Sequence, residues 1–371
     1  MHYPDKKKTP ADWLSTFHID WPLMLALLSL MSISLVVVYS ASGQDMGLMN
    51  RQAVRLGVAL FVCFAVAQIP PLVYRRLSVP VYLISIMLLV AVLVVGHVGK
   101  GAQRWLDIGF IKFQPSEILK MVLPMTVAWY ISRQPMPPRL IHIAAGFAIT
   151  LVPTLLIFKQ PDFGTSLLIA SSGIFVLFLA GMSWRLIGFF GCLSIPLGAI
   201  LWFYLLRDYQ KQRVLTFLNP ESDPLGSGYH IIQSKIAIGS GGLEGKGWLM
   251  GTQSQLEFLP ERHTDFIFSV FSEEFGLIGI GLLLAIYMFI IGRGLLIAAR
   301  SQHPFTKLLA GSLTLTFFVY FFVNIGMVSG LLPVVGVPLP LVSYGGTSMV
   351  TLMAGFGILN AIATNKKIYN R

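Results

Sequence analysis

The chain has 371 residues, of which 55% are hydrophobic and 12% are charged, and its mean hydropathy is +0.73. Because a soluble globular protein carries about 25% charged residues, this composition excludes a soluble enzyme and predicts an integral membrane protein. The formal net charge is +11.

Ten apolar stretches are long enough to cross a bilayer. Each has close to the ~20 residues that a helix needs to span about 30 Å of hydrocarbon. The stretches are continuous rather than alternating, which argues against a membrane β-barrel. We therefore predict an all-α, polytopic membrane protein with about ten transmembrane helices. The predicted spans are residues 22–41, 53–69, 77–97, 115–132, 140–158, 163–181, 186–206, 266–291, 308–328 and 347–364.

Two connections between the spans are unusual. The loop at 207–264, between the seventh and eighth spans, is far longer than the others, and we predict a single transmembrane domain over 1–371 that carries it. The segment Leu331–Gly346 holds three prolines and three glycines. Because these residues interrupt helices, we predict a re-entrant or extracytoplasmic segment there.

The charges are distributed unequally between the two sides of the predicted membrane. With ten spans both termini share a side, which carries fourteen Lys and Arg residues against three Asp residues. The remaining loops and spans hold thirteen charges of each sign. The positive-inside rule then places both termini in the cytoplasm and the long loop outside. The net charge is thus a topology signal, and no nucleic-acid partner is expected.

Basic residues nevertheless occur in the predicted outer loops, where topology does not require them. Arg104, Arg213 and Arg262 are examples. Cations placed against the topological bias indicate an anionic ligand on the outer face. The alternative is an ordinary solvated loop surface, in which nearby acids balance these cations.

The fourth span begins with three polar residues. Gln114, Glu117 and Lys120 are spaced three apart, so they share one face of the helix. They are candidates for a functional site inside the membrane. The alternative is a purely structural ion pair between Glu117 and Lys120.

Further acids stand at or near the starts of other spans. Asp162 begins the sixth span and Asp265 the eighth, and for both the alternative role is a helix N-cap. Glu273 and Glu274 lie two turns deeper. One charge at mid-helix costs about 2.5–3.5 kcal/mol, so four would cost roughly 10 kcal/mol, as much as the stability of a domain. We therefore predict that the buried charges face a wet or ion-paired cavity that opens outward.

The glycine-rich segment Gly239–Gly247 resembles a phosphate-binding loop. It lacks the Walker spacing, because Ser240 follows the first glycine and Gly247 follows the lysine. We interpret it as a turn-rich loop rather than as a nucleotide site.

Several segments together resemble the SEDS family (shape, elongation, division and sporulation). The stretch Asn324–Ser348 resembles the family signature, and the Ser42–Asp45 and Gln233 regions favour the elongation members over the division members. The other segments that resemble recurrent family motifs are Lys100–Trp105, Phe113–Glu117, Gln160–Thr165, Gly228–Gly239 and Pro260–Asp265. The resemblance covers nearly the whole chain.

The resemblance implies a peptidoglycan glycosyltransferase of the bacterial inner membrane. Its substrate would be lipid II, a disaccharide-peptide on undecaprenyl diphosphate. It further implies a ten-helix bundle with a large extracytoplasmic loop, and a class B penicillin-binding protein as partner. The essential aspartate of the family maps onto Asp265.

The chemistry of that reaction suggests roles for the candidate residues. Asp265 would act as the general base that removes the proton from the acceptor hydroxyl. The diphosphate leaving group needs cations rather than an acid, and Mg²⁺ or Mn²⁺ carried on the substrate could assist. The candidate substrate-binding residues are Lys120, Glu117, Asp162, Arg104, Gln114, Arg213, Arg262, Ser343 and Tyr344. No metal ligands are assigned.

Two other functions compete with this interpretation. A lipid II flippase would also need charges inside the membrane, but it requires a path open to both sides, whereas Asp162 and Asp265 lie at outer helix ends. A scaffold that only anchors partners would leave the buried charges without a reason.

Overall fold

The structure is a computed structural model that describes residues 18–99, 102–107, 112–206, 208–223, 226–255 and 261–365. Within these residues helices dominate and strands are confined to one small sheet, which confirms the all-α prediction. Both chain termini, with Lys100 and Pro260 of the predicted motifs, lie outside the described residues.

The elements follow one another along the chain with short connections. The helices are α1 (Trp21–Ala41), α2 (Met46–Ala67), α3 (Pro71–Val95), α4 (Pro115–Ile131), α5 (Leu140–Lys159), α6 (Phe163–Leu179), α7 (Trp184–Ile200), α8 (Asp208–Leu218), α9 (Ser227–Ser240), α10 (Thr252–Gln255), α11 (Ile267–Arg300), α12 (Pro304–Val328) and α13 (Thr347–Thr364). The strands are β1 (His97–Gly99), β2 (Ala102–Asp107) and β3 (Lys112–Phe113).

Each of the ten predicted spans corresponds to one helix. In the described part of the chain, eight helices are long and apolar enough to cross a membrane, namely α1, α2, α3, α5, α7, α11, α12 and α13. α7 is counted together with the π-helical turn Leu201–Leu205 that continues it, which gives an apolar helix over Trp184–Tyr204. The other two, α4 and α6, have 17 residues each. The long loop is itself helical and holds α8 to α10.

Two helices extend well beyond their predicted ends. α2 begins at Met46 rather than at 53, because Asp45 caps it by accepting a bond from the Gly47 amide at 2.7 Å. α11 runs to Arg300 rather than to 291. Arg293 can lie inside this helix because its guanidinium pairs with Asp20 at 2.7 Å.

The small sheet between α3 and α4 is an element that the sequence analysis did not predict. β1 pairs with β2 and β2 pairs with β3, both antiparallel. The pairing includes His97 opposite Trp105 and Leu106 opposite Phe113. The predicted motif around Arg104 therefore lies on a strand and is held at a fixed place beside the start of α4.

In the described part of the chain, the ten helices that match the predicted spans alternate in direction, which gives the bundle two ends. We call one the loop end; it carries the turn at 42–45, the sheet, the turn at 160–162, α8 to α10 and the segment 329–346. We call the other the terminal end; there Asp20 caps α1, and its amide donates to the Asn360 side chain at 2.7 Å.

The core of the bundle lies around α1, α4, α12 and α13, each of which is buried over more than half of its length. By contrast, no described residue of α7 is buried, so α7 stands at the periphery. The segment Leu331–Gly346 contains no helix, as predicted, and it returns into the bundle, where Val337, Leu339 and Val342 are buried.

α11 is broken near its start at Gly276, whose φ of 60° and ψ of −164° are not helical. The glycine-rich segment Gly239–Gly247 packs into this break and takes up the backbone groups that the helix leaves free. The bonds run from Leu277 N to Gly242 O, Ile278 N to Leu243 O, Lys246 N to Glu273 O and Gly247 N to Glu274 O, at 3.0–3.1 Å. The turn-rich segment thus completes a broken helix.

Candidate active site

The Glu117–Lys120 pair lies inside the bundle, on α4. The Lys120 ammonium is 2.6 Å from Glu117 Oε1, and both residues are more than 90% buried. Thr351 of α13 donates to the second oxygen, Glu117 Oε2, at 2.7 Å. The ring of Tyr320 on α12 faces the ammonium, with 5.1 Å between Nζ and the ring centroid. Three helices therefore hold this pair in place.

The pair is compensated in charge but not saturated in hydrogen bonds. An ammonium has three N–H donors, and among the described residues Glu117 accepts one of them. Breaking such a buried pair would leave a bare charge at a cost of several kcal/mol, so both side chains are held. Lys120 is consequently a fixed cation with donors left for an anionic group.

Asp162 and Arg104 meet at the loop end of the bundle. Asp162 caps α6 by accepting from the Thr165 amide at 3.2 Å, so the capping alternative applies to it. Its other oxygen is 3.5 Å from Arg104 Nε, and Arg104 also donates to the Pro161 carbonyl at 2.7 Å. Val337 lies against both Gly164, two residues after Asp162, and Tyr320, which places this group near the Glu117–Lys120 pair.

Asp265 stands one residue before Phe266, the N-cap residue of α11, whose side chain makes no capping bond. Asn324 of α12 donates to the Asp265 carbonyl at 2.9 Å and to the Val337 carbonyl at 2.7 Å. Gly336, at a φ of 74°, lies so close that a Cβ there would be 3.5 Å from Asp265 Oδ2. The carboxylate therefore lies against the backbone of the segment 331–346.

Residues 334–337 of that segment form a wall that separates Asp265 from the Asp162–Arg104 group and from Tyr320. Arg213 donates to the Val334 carbonyl at 3.2 Å, and Gly164, next to the start of α6, packs against the Val335 carbonyl. Val337 packs against Tyr320. One stretch of backbone thus borders Asp265, the turn at Asp162 and the Tyr320 ring that faces Lys120.

Ser343 and Tyr344 hold the residues that lead into Asp265. Ser343 Oγ donates to the Thr264 carbonyl at 2.6 Å, and the Tyr344 amide donates to the His263 carbonyl at 2.8 Å. The guanidinium of Arg55 lies over the Tyr344 ring at 4.4 Å. These contacts position Asp265, and the predicted contact of Ser343 and Tyr344 with substrate stays a prediction.

Three candidates lie farther out. The Arg262 guanidinium lies beside Gly43 in the α1–α2 turn, where a Cβ would be 3.6 Å from Nη2. Arg213 is exposed, and its guanidinium lies 5.9 Å from the Tyr209 ring. Gln114 precedes α4 as its N-cap residue, without a capping bond from its side chain. Their substrate-binding roles also remain predictions.

The sequence analysis missed Thr351, Tyr320 and Asn324. Tyr320 and Asn324 are four residues apart on one face of α12, next to the predicted Lys120 and Asp265. Polar residues at helical spacing inside a span are a signal that could have found this face.

His230 of α9 lies next to the residues that follow Asp265, where its ring stacks on Phe266 with 5.8 Å between the centroids. Burial lowers the pKa of His230 below its ordinary value of 6.5, and the charges of Glu261 and Asp223 act in the opposite direction. The imidazole is therefore neutral near pH 7, and it adds no positive charge beside the start of α11.

The carboxylates do not form a metal cage. Among the described residues, no three His, Cys, Asp or Glu side chains cluster as metal ligands would. The Glu117 oxygens are occupied by Lys120 and Thr351, and those of Asp162 face Thr165 and Arg104. A divalent cation at this site would depend on oxygens from the substrate.

Residues 16–368 match the family described as cell cycle protein, FtsW/RodA/SpoVE. The chain belongs to this family. The SEDS prediction is thereby confirmed. The chain is 58% identical over 354 residues to the peptidoglycan glycosyltransferase MrdB of Escherichia coli strain K12, covering 95% of this chain and 96% of that one. It is 36% identical over 363 residues to the probable peptidoglycan glycosyltransferase FtsW of Trichlorobacter lovleyi, covering 94% of each.

Solved structures of related proteins have the same fold. One is a chain from a peptidoglycan synthase complex that coordinates polymerization and crosslinking, with a TM-score of 0.81 and 33% identity over 93% of this chain and 97% of that one. Another is the rod shape determining protein RodA of Thermus thermophilus, with a TM-score of 0.70 and 28% identity over 93% and 96%. This likeness agrees with the predicted polytopic helical bundle.

Proposed function

We propose that the protein is a peptidoglycan glycosyltransferase that polymerises lipid II into glycan strands, with Asp265 as general base. The observation that carries this proposal is the wall at residues 334–337. It borders Asp265 on one side, and on the other side Tyr320, whose ring faces Lys120. The identity of 58% to a relative named peptidoglycan glycosyltransferase supports the activity.

Asp265 would act on the acceptor sugar. The carboxylate takes the proton of the acceptor hydroxyl while the hydroxyl oxygen attacks the anomeric carbon of the donor. The bond from that carbon to the diphosphate oxygen breaks, so the anomeric configuration inverts. Asn324, which holds the Asp265 carbonyl at 2.9 Å, fixes the backbone from which the base projects.

Lys120 and Arg104 would stabilise the departing diphosphate. This leaving group carries its own negative charge, so fixed cations assist it better than a proton donor does. Lys120 is held by Glu117, and Arg104 is held by Pro161 and Asp162. Because both cations are positioned before substrate arrives, little reorganisation is needed when charge develops.

Magnesium or manganese is a further proposal. The described residues offer no cage of their own, so such an ion would be bound mainly by the substrate diphosphate, as is common for Mg²⁺. It would supply additional positive charge to the leaving group. The protein's own contribution remains the placement of its cations and of Asp265.

The membrane setting follows from the charge distribution. We propose that both termini face the cytoplasm and that the loop end faces outward, as the positive-inside rule indicates. The lipid tail of the substrate would then stay in the bilayer while its sugar reaches Asp265. A class B penicillin-binding protein is the proposed partner, and the similarity to a chain of a peptidoglycan synthase complex supports it.

The test is a reconstitution of purified protein, the penicillin-binding partner and lipid II in liposomes. Asp265→Asn should lower glycan synthesis by at least about 100-fold, the usual contribution of a general base. Asp45→Asn is the matched control, because Asp45 caps α2 at the same end of the bundle, and its effect should stay within about threefold, as expected for an exposed cap.

Thermal unfolding and partner co-purification should be unchanged in Asp265→Asn. Normal glycan synthesis by this variant would remove Asp265 from the mechanism. Labelled lipid II placed in the inner leaflet tests the transport alternative in the same liposomes. Movement of the lipid between leaflets without any glycan product would support a flippase instead.

A further inference from the structure

A cavity of about 80 Å³ opens at the terminal end of the bundle, opposite the candidate active site. It lies where the starts of α3 and α12, the end of α11 and the end of α13 come together. Its apolar floor includes Ile297, Phe305 and Ile362, which are all buried. The proposed transfer reaction does not use this cavity.

The described charges that line the cavity have one sign. Arg75 of α3 and Arg300 of α11 both line it, and none of the described residues in its lining is acidic. Within the described residues neither guanidinium has a carboxylate at ion-pair distance. Two like charges that share one hollow repel each other unless an anion lies between them.

The helix ends add to the positive potential of the cavity. Pro71 and Pro304, which begin α3 and α12, both line it, and a helix N-terminus carries roughly half a positive charge. Arg300 alone could be explained as a cation at the C-terminus of α11. That explanation does not apply to Arg75, which lies near the positive end of its helix.

The size and polarity of the cavity limit its ligand. One water needs about 10–15 Å³ measured in this way, so the cavity has room for a phosphate-sized group and not for acyl chains. Ser132, Ser301 and Asn365 add polar groups to its lining. Leu72, also in the lining, is exposed on the outer surface of the bundle, where chains attached to such a group could continue into the bilayer.

We propose that this cavity binds a phosphate-bearing anion through Arg75 and Arg300. Two sources share this chemistry: the phosphodiester headgroup of an anionic phospholipid, and a soluble phosphate compound. A lipid would be held from the leaflet that surrounds the terminal end. The site is independent of the candidate active site and of the proposed activity.

The test compares two double variants of the full-length protein, each of which removes two positive charges from the terminal end. Arg75→Gln/Arg300→Gln changes the cavity. Arg76→Gln/Lys307→Gln is the matched control, because both residues are exposed near the starts of α3 and α12, which border the cavity, and neither lines it. Phosphatidylglycerol retained by the detergent-solubilised protein is counted by native mass spectrometry, and phosphatidylcholine serves as the neutral comparison.

We expect the cavity variant to lose at least about tenfold in affinity for phosphatidylglycerol, and the control to lose less than about threefold, because exposed charges that do not contact the ligand are screened by salt. Binding of inorganic phosphate to the wild type but not to the cavity variant, without retention of phosphatidylglycerol, would identify a soluble ligand as the source. Equal losses of phosphatidylglycerol affinity in the two double variants would mean that the anion is attracted by the general positive charge of the terminal end, and this would overturn the proposal. So would a cavity variant that binds both anions as the wild type does.

Discussion

In the described part of the bundle, two lysine–glutamate pairs have a buried carboxylate, and their surroundings differ. In the first, Lys120 and Glu117 are 2.6 Å apart on one helix, α4. In the second, Lys246 of the glycine-rich segment lies 2.7 Å from Glu273 of α11. Both carboxylates are almost completely buried. By composition and burial alone, each pair qualifies as an intramembrane functional site.

The hydrogen-bond partners of Glu117 and Glu273 distinguish the two pairs. Glu273 Oε1 also accepts from Thr252 Oγ1 at 3.1 Å and from the Gln253 amide at 3.0 Å, and these partners, like Lys246, come from the loop that packs against α11. The first pair instead joins side chains from α12 and α13 and lies near Asp162 and Arg104. Burial marks a charge as important, but its partners tell whether it holds the chain together or faces a ligand.

The strongest test of this comparison neutralises each pair as a unit. Replacing both members of a buried pair is often close to neutral for stability. Glu117→Gln/Lys120→Met should therefore fold yet lose about 100-fold or more in glycan synthesis, the order of effect seen when one preorganised electrostatic group is removed. Lys246→Met/Glu273→Gln should retain synthesis within about threefold per folded molecule, because it removes no such group.

Both double variants are measured with lipid II and the penicillin-binding partner, and activity is divided by the fraction of folded protein from thermal unfolding. Equal losses of specific activity in the two would mean that the pairs do not differ in function. Full activity in Glu117→Gln/Lys120→Met would remove Lys120 from anion binding.

A smaller effect, on stability, is expected at the break in α11. Gly276 has a φ of 60°, and a Cβ there would lie 2.3 Å from the Gly245 backbone nitrogen. Gly276→Ala should therefore destabilise the protein by roughly 3 kcal/mol, from backbone strain and displacement of the glycine-rich segment. Gly281→Ala, on the same helix and with open space around its Cβ, should change stability by less than about 1 kcal/mol.

Thermal unfolding measures these changes, and hydrogen exchange over residues 241–253 reports whether the segment has left the break. If Gly276→Ala leaves both unchanged, the segment is not held by the helix break, and the structural role given to the Lys246–Glu273 pair is wrong.

The sequence predicts the helices well because a spanning helix is specified locally, by an apolar run of sufficient length. The same local spacing placed Glu117 and Lys120 on one face. Thr351 and Tyr320 could not be assigned to this pair, since they lie 200 or more residues from Lys120 along the chain. The break at Gly276 also depends on a remote segment, and the small sheet has strands of only two to six residues, too short for a clear alternating pattern.

The smallest effect concerns Thr351, which donates to Glu117 Oε2 at 2.7 Å. Thr351→Val keeps the shape of the side chain but leaves a buried carboxylate oxygen without this donor, a cost of about 1–3 kcal/mol. If that cost loosens the Lys120 cation, synthesis should fall by about tenfold, and Thr351→Ser should restore it. Thr314→Val is the control, because the buried Thr314 hydroxyl bonds only the Ala310 carbonyl of its own helix among the described residues. A loss of activity in both valine variants, or the absence of rescue by serine, would show that Thr351 contributes to packing rather than to the position of Glu117 and Lys120.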